Sequence, residues 1–341
     1  MKTNALATRL DPVLLNSLLI GYVCTIYLAG VGLLLFHSWL LNALGVILTV
    51  HGLVLSTVLT HEFLHDSIFK QRHLNRLFGQ VMTHINGACY APYEDLVQNH
   101  FDHHIYHSDV IAFEIPTFFH ELSKPIRYLF IALEWAYFPL FEFVLRWRLI
   151  IAPFKNEAKR HLRSRNLIIM AYRGSLALII GFISWQALIL YFLAYVCFIN
   201  LMRFVDAFHH TYDYAVFKPE FTKDDYPVDR VGDREYEQAN TFSNLVSAKY
   251  PWLNLLYLNF GYHNAHHHDM RCPWYRLPEL HQSLYGDEAK NLLSLSQLIG
   301  NYHRFRIARL SGDQGNVNTE NREMAIASFT GGIGVSLLTP P

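Results

Sequence analysis

Two pairs of long apolar runs constrain this chain more than any other feature. Val13 to Phe36 is 24 residues without a charge, and after a short His37-Ser38-Trp39 break a second run extends from Leu40 to Thr60. A second pair runs from Leu167 to Ile183 and from Trp185 to about Phe204, broken only around Ser184, with Arg173 near its first end. Runs of this length cross about 30 Å of hydrocarbon as helices. Breaks this short make each pair an antiparallel hairpin. The fold class that follows is an all-α membrane protein with about four transmembrane helices in two hairpins, joined by interfacial helices. Composition agrees, since only 16% of the 341 residues are charged against about 25% in a typical soluble domain. The first run outlasts a signal-peptide core and lacks a small-residue cleavage site, so it is expected to stay in the membrane.

The second feature is histidine, of which the chain has 20. Gly261 to Asp269 packs four imidazoles into six residues, and in a helix His263, His266 and His267 fall at i, i+3 and i+4 on one face. The same H-x-x-H-H spacing recurs at His100, His103 and His104, and a shorter H-x-x-x-H at His61 and His65. One such string is as readily a solvated patch as a ligand set. Three strings beside apolar runs point to bound metal, because packing has no need of them. The four cysteines are far apart and form no C-x-x-C, so imidazole is the expected ligand. Imidazole suits iron, zinc and copper alike. The three strings hold eight histidines, and a structural zinc takes about four ligands, so the surplus favours two metals.

Further candidates surround the strings. His107 lies one turn beyond the second and His268 directly follows the third. Asp206, His209 and His210 stand at the exit of the fourth apolar run. If that helix continued, Asp206 and His210 would share a face about 40° apart while His209 pointed about 100° away, so His210 is the expected ligand. Glu62, Asp66, Asp102 and Asp269 are candidates to orient imidazoles through the second ring nitrogen.

Parity fixes the topology. The segment 125–154 is apolar but interrupted by Glu134, Glu142, Arg146 and Arg148. If it crossed the bilayer once, the first two strings would face the opposite compartment from the third, and no site could be shared. It is therefore expected along the surface. Twelve Lys and Arg residues from Lys70 to Arg165 lie between the hairpins and none at either hairpin tip, which puts the histidine side in the cytoplasm. The polar stretch 218–250 then caps that side. Residues 1–311 are read as one domain and 312–341, rich in Gly, Asn and Thr, as a mobile tail.

HEFLH, HFDHH and HNAHH, in this order and with two apolar hairpins, resemble the integral-membrane fatty acid desaturase and hydroxylase family over about Val13 to Leu280. The resemblance implies an O2-dependent, non-haem di-iron enzyme that removes hydrogen from an acyl chain, most simply a fatty acid desaturase. It implies iron ligands at His61, His65, His100, His103, His104, His263, His266 and His267, with one more from His209 or His210. Acyl-CoA desaturases of this family space the first string as H-x-x-x-x-H and carry Asn four residues before the helix-exit histidine. This chain has H-x-x-x-H, and Asp206 in that place. Both departures fit branches acting on lipid-linked, carrier-bound or free acids better, including enzymes that decarboxylate medium-chain acids to terminal alkenes. Hydroxylation of a lipid, alkane or carotenoid is the other alternative.

A metal transporter would carry its ligands near the bilayer midplane, where this chain has only His51. A net charge of zero gives no case for nucleic acid. No cytochrome b5 segment or ferredoxin cysteine pattern is fused to the chain, so a separate ferredoxin, rubredoxin or cytochrome b5 type donor is expected.

Overall fold

The computed structural model describes residues 11–218, 221–226, 230–286, 291–311 and 329–332. Helix α1 (Pro12–Leu34) starts where the Asp11 carboxylate accepts the N–H groups of Val13 and Leu14 and Pro12 presets the first turn. Helix α2 (Trp39–Leu64) returns antiparallel to it. The pair closes on small residues. A Cβ at Gly30 would stand 2.6 Å from Thr49 N, and one at Gly45 would stand 2.9 Å from Gly30 O, so the two backbones touch where side chains would hold them apart. Helix α2 is the central one, for between Gly52 and Leu64 only Val54 is partly exposed.

Next come α3 (Arg72–Asn86) and α4 (Tyr93–Tyr106), which carries the second histidine string, and the short α5 (Ile115–Glu121). Helices α6 (Lys124–Trp135) and α7 (Leu140–Lys155) cover the segment expected along the surface, and they meet at 112°. The break is pinned by Glu134, which accepts the N–H of Phe141 at 3.1 Å and pairs with Arg203 at 2.9 Å, both groups buried. Helix α8 (Arg163–Ile183) and helix α9 (Trp185–Asp206) form the second hairpin. With α1 and α2 they are the four helices long and apolar enough to span a membrane among the described residues. Because α8 begins at Arg163, Arg173 lies at mid-helix and not near its first end. Basic residues at a helix start carry it into the interface, so the apolar run alone misplaces the boundary.

The remaining elements are short: α10 (Arg234–Asn240), α11 (His263–His268) with the third string, α12 (Leu277–Tyr285), α13 (Leu295–Arg304) and α14 (Ala308–Ser311). Strand content among the described residues is two parallel pairs of three-residue strands. Strand β1 (Asp109–Ile111) pairs with β2 (Tyr214–Val216), and β3 (Ser243–Leu245) with β4 (Leu292–Ser294). An antiparallel bridge joins His210 to Thr241. These contacts clamp the end of α4 and the exit of α9 onto the polar cap.

Histidines at the end of α2 and just past α9 meet in one cluster, as described below. The chain between those helices therefore returns to the side it left, and the bent α6–α7 pair makes no net crossing. Most of the tail expected to be mobile lies outside the described residues. Within it, 329–332 is docked: Phe329 is buried against Phe208 and Phe242, and Gly332 N–H donates to Ala207 O at 2.7 Å. An aromatic ring that finds an apolar socket overrides the local Gly/Thr composition.

The close α1–α2 contact generates a test. Gly30→Val should force the helices apart, costing on the order of 1–3 kcal/mol, and lower the thermal midpoint in detergent. Gly21→Val on the same helix, where an added Cβ meets nothing within 4 Å, should leave that midpoint near the wild-type value.

Candidate metal centre

Each histidine string rides on a helix end. His61 is in the last turn of α2 and His65 follows it as the C-cap; His100, His103 and His104 lie in α4; His263, His266 and His267 lie in α11. Helical spacing of three and four residues turns the rings of each string to one side. Where the three helix ends meet, those sides face each other, and all eight imidazoles are buried.

The nitrogens converge in two groups. Ring nitrogens of His61, His65, His100, His104 and His266 all lie within 4.8 Å of one another, as do those of His103, His210 and His267. The Nε2 atoms point at each other, with His65 to His100 at 2.7 Å, His104 to His100 at 3.3 Å and His266 to His104 at 3.2 Å. His263 Nε2 stands 2.8 Å from His210 Nε2 and brings the second group to four residues. Lone pairs aimed into a common space need a cation between them or a proton on one partner. Ten ring nitrogens of these nine histidines are buried without a hydrogen-bond partner, both of His61's among them. The donor set therefore fits metal better than it fits an imidazole packing core.

Electrostatics favour the neutral, ligating form. Burial first, and then the neighbouring imidazoles, hold His65, His100, His104, His210, His263 and His267 well below the ordinary histidine value. Burial likewise brings His209 and His266 down to about 3. His103 goes the other way. Burial opposes its protonation, but the Asp109 carboxylate 2.9 Å from Nδ1 and the charge on Asp206 outweigh that and raise it.

The candidates beyond the strings divide. His210 joins His103 and His267, although by a different route from helical continuation: α9 ends at Asp206, and residues 207–209 form a turn that delivers His210 to its bridge with Thr241. His209 is also buried, stacked on His263 with ring centroids 4.1 Å apart, but it is in neither group of converging nitrogens. Asp206 Oδ1 lies 4.0 Å from His209 Nδ1. Glu62 is at the site, its carboxylate 3.5 Å from His61 Nδ1 and held by the Ser67 hydroxyl and the Trp274 N–H. His107 is buried, 3.4 Å from Glu237. Asp66 turns away to Arg72, Asp102 to Gln98, and His268 and Asp269 are exposed.

Three residues that spacing did not single out complete the arrangement. Glu237 is buried within reach of His104 and His267, 3.3 Å from His267 Nδ1. Asp109 holds His103, and the Tyr212 hydroxyl lies 3.4 Å from His267 Nδ1 while its ring stacks on His210. Glu237 sits in a polar stretch whose many acids look alike in one dimension. A signal for Asp109 was its place two residues after His107.

Residues 37–298, three quarters of the chain, match the family model described as Fatty acid desaturase. No curated protein and no solved structure matches the chain.

Acid should unfold the metal-free protein through this cluster. An imidazole near 3 when folded and 6.5 when unfolded contributes stability that is complete above pH 6.5 and is lost as pH falls toward 3. The thermal midpoint of chelator-treated protein should fall progressively below pH 6.5, with His103 opposing the trend. A midpoint flat between pH 7 and about 4 would mean that the rings are solvated.

Proposed function

This chain belongs to the fatty acid desaturase family, and we propose that it is a di-iron membrane oxidase that removes hydrogen from an acyl chain, forming a double bond. The observation that carries the reading is the convergence of nine imidazoles, eight of them buried, in two adjoining groups. We assign His61, His65, His100, His104 and His266 to one iron, and His103, His210, His263 and His267 to the other. Bound there, iron would supply the redox chemistry by which O2 attacks an unactivated C–H bond.

The chain's own residues do the rest. Burial keeps the imidazoles neutral, as ligation requires. Glu62, Asp109 and Glu237 each stand beside the Nδ1 of one ligand, at 3.5, 2.9 and 3.3 Å, where they fix the ring and make its other nitrogen more basic. Phe260 packs against His61, His209 and His263 and excludes water from one side of the cluster. Forming one double bond takes two electrons from the substrate, and reduction of O2 to two waters takes four. A separate donor must deliver the other two. By the charge distribution between the hairpins, the metal face is cytoplasmic, open to such a donor.

Desaturation, hydroxylation and decarboxylation share the first hydrogen removal, so products decide among them. Cells expressing the protein and fed isotopically labelled acids of several lengths should yield an internally unsaturated acid by mass spectrometry. A hydroxy acid or a terminal alkene one carbon shorter would redirect the reading to the corresponding alternative.

Purified protein should contain iron in excess of zinc, near two per chain. His210→Ala should lower iron content and abolish turnover, whereas His209→Ala should retain most of both. One metal per chain, or full iron in His210→Ala, would overturn the ligand assignment.

A second test concerns sidedness. Single cysteines introduced near His65 and near His268 should label from the same, cytoplasmic face. Opposite sidedness is incompatible with a shared site.

A further inference from the structure

The described residues leave two arginines unexplained by the metal centre. Arg173 is the eleventh of the 21 residues of α8, about 15 Å from either end at 1.5 Å per residue. It faces Tyr195, which is likewise halfway along α9. Neither Arg173 nor Arg146 of α7 belongs to any ion pair among the described residues. Glu142, one turn before Arg146, is buried but does not close a pair with it. Charges inside a span are costly, and those that persist are paired or serve a substrate path. Arg203 shows the paired case, with its partner Glu134. Arg173 has none.

Its surroundings have the form of a ligand site. Arg173 and Trp147 lie in the wall of a cleft of about 760 Å³ that is otherwise apolar over most of its surface, along Leu28, Val31, Leu176, Ile180 and Leu188. The volume falls in the ~300–1,000 Å³ range of single small-molecule sites. Arg173 Nη1 donates to His84 O at 2.8 Å and to Cys89 Sγ at 3.8 Å, and Tyr172 is a further hydrogen-bond partner of the guanidinium. Arg146 Nη1 donates to the Tyr195 hydroxyl at 3.2 Å, and its Nε is buried without a partner. The two arginines and Tyr195 also border a second, adjoining cavity of about 430 Å³. Gly87, at φ +90°, makes this closeness possible, because a Cβ there would stand 2.4 Å from the Tyr195 hydroxyl and 3.6 Å from Arg173 Nη2.

The polar wall is also tied to the metal centre. Tyr195 donates to Asn86 O at 3.1 Å, the Asn86 side chain donates to Thr60 Oγ1 at 3.0 Å, and Thr60 adjoins His61. A group held at the arginines is thus joined through Tyr195, Asn86 and Thr60 to the first histidine string.

We propose that this cleft takes a free fatty acid, its carboxylate paired with Arg173 and backed by Arg146 and Tyr195, its alkyl chain along the apolar wall. The inference rests on the reading of this protein as an acyl-chain oxidase and adds the form in which the substrate arrives. Depth decides against a bilayer phospholipid. Its phosphate stays at the headgroup level, half the ~30 Å core away from mid-span, and its second chain has no place in one cleft. A single-chain acid can leave the interface whole and trade water for two guanidinium groups.

Binding of labelled lauric acid and of dodecanol to metal-free protein in detergent tests this without turnover. Wild type should bind the acid about tenfold or more tightly than the alcohol, the effect of one charge-assisted pair. Arg173→Gln should erase that preference while leaving dodecanol binding within a few-fold, and Arg173→Lys should keep part of it. Phosphatidylglycerol should not displace the acid. Equal binding of acid and alcohol by wild type overturns the proposal, as does displacement by phosphatidylglycerol as effective as by unlabelled laurate. Should Arg173→Gln not fold, Arg146→Gln and the wild-type comparison still decide. A protein that prefers the acid yet oxidises no acyl chain defeats only the oxidase reading, and one that oxidises acyl chains without that preference defeats only the carboxylate site.

Discussion

Packing nine imidazoles, eight of them buried, against one another is the interaction on which the rest of this structure depends. A buried nitrogen without a partner costs about 1–3 kcal/mol, and ten ring nitrogens of these nine residues have no hydrogen-bond partner. Such an arrangement is tolerable only where the surrounding frame is held independently. Here the frame is the α1–α2 hairpin closed on glycine, the α9 helix locked by the Arg203–Glu134 pair, and a polar cap clamped by two short parallel strand pairs.

The cap explains why so small an amount of β-structure matters. Pairing of Asp109 with Tyr214 places the chain after α4 beside the chain after α9, and this one register brings three things together. It sets Asp109 against His103, Tyr212 against His210, and the end of α4 against Glu237. Carboxylates that steer imidazoles must be near them yet outside the ring of converging nitrogens. Asp109 and Glu237 meet that condition from separate elements, β1 and α10, whereas Asp102 and Asp269, inside or next to their strings, turn away.

Within the hydrophobic body the chain treats the half-buried arginine of α8 and the buried arginine of α9 differently. Arg203 is neutralised in place by Glu134 and so serves architecture, fixing the 112° break between α6 and α7. Arg173 meets the His84 carbonyl and the Cys89 thiol and belongs to no ion pair among the described residues. The contrast between a closed pair and an open guanidinium in the same protein is what marks the second as a place for an incoming anion.

The sequence by itself determined the spans, their pairing into hairpins, and the three histidine strings, because apolar run length and helical spacing are local properties written in consecutive residues. It also required that 125–154 make no net crossing, since parity follows from counting spans. Tertiary structure alone decided which imidazoles share a group, for His103 and His104 are neighbours in sequence yet their rings fall in different groups. It decided that α9 stops at Asp206, so that His210 arrives through a turn and a strand-like bridge where a helical wheel would have carried it on the helix. It alone brought in Glu237, an acid among many in a polar stretch, and moved Arg173 to mid-helix. Those outcomes rest on contacts between residues far apart in the chain, where spacing carries no information and only packing brings the partners within reach.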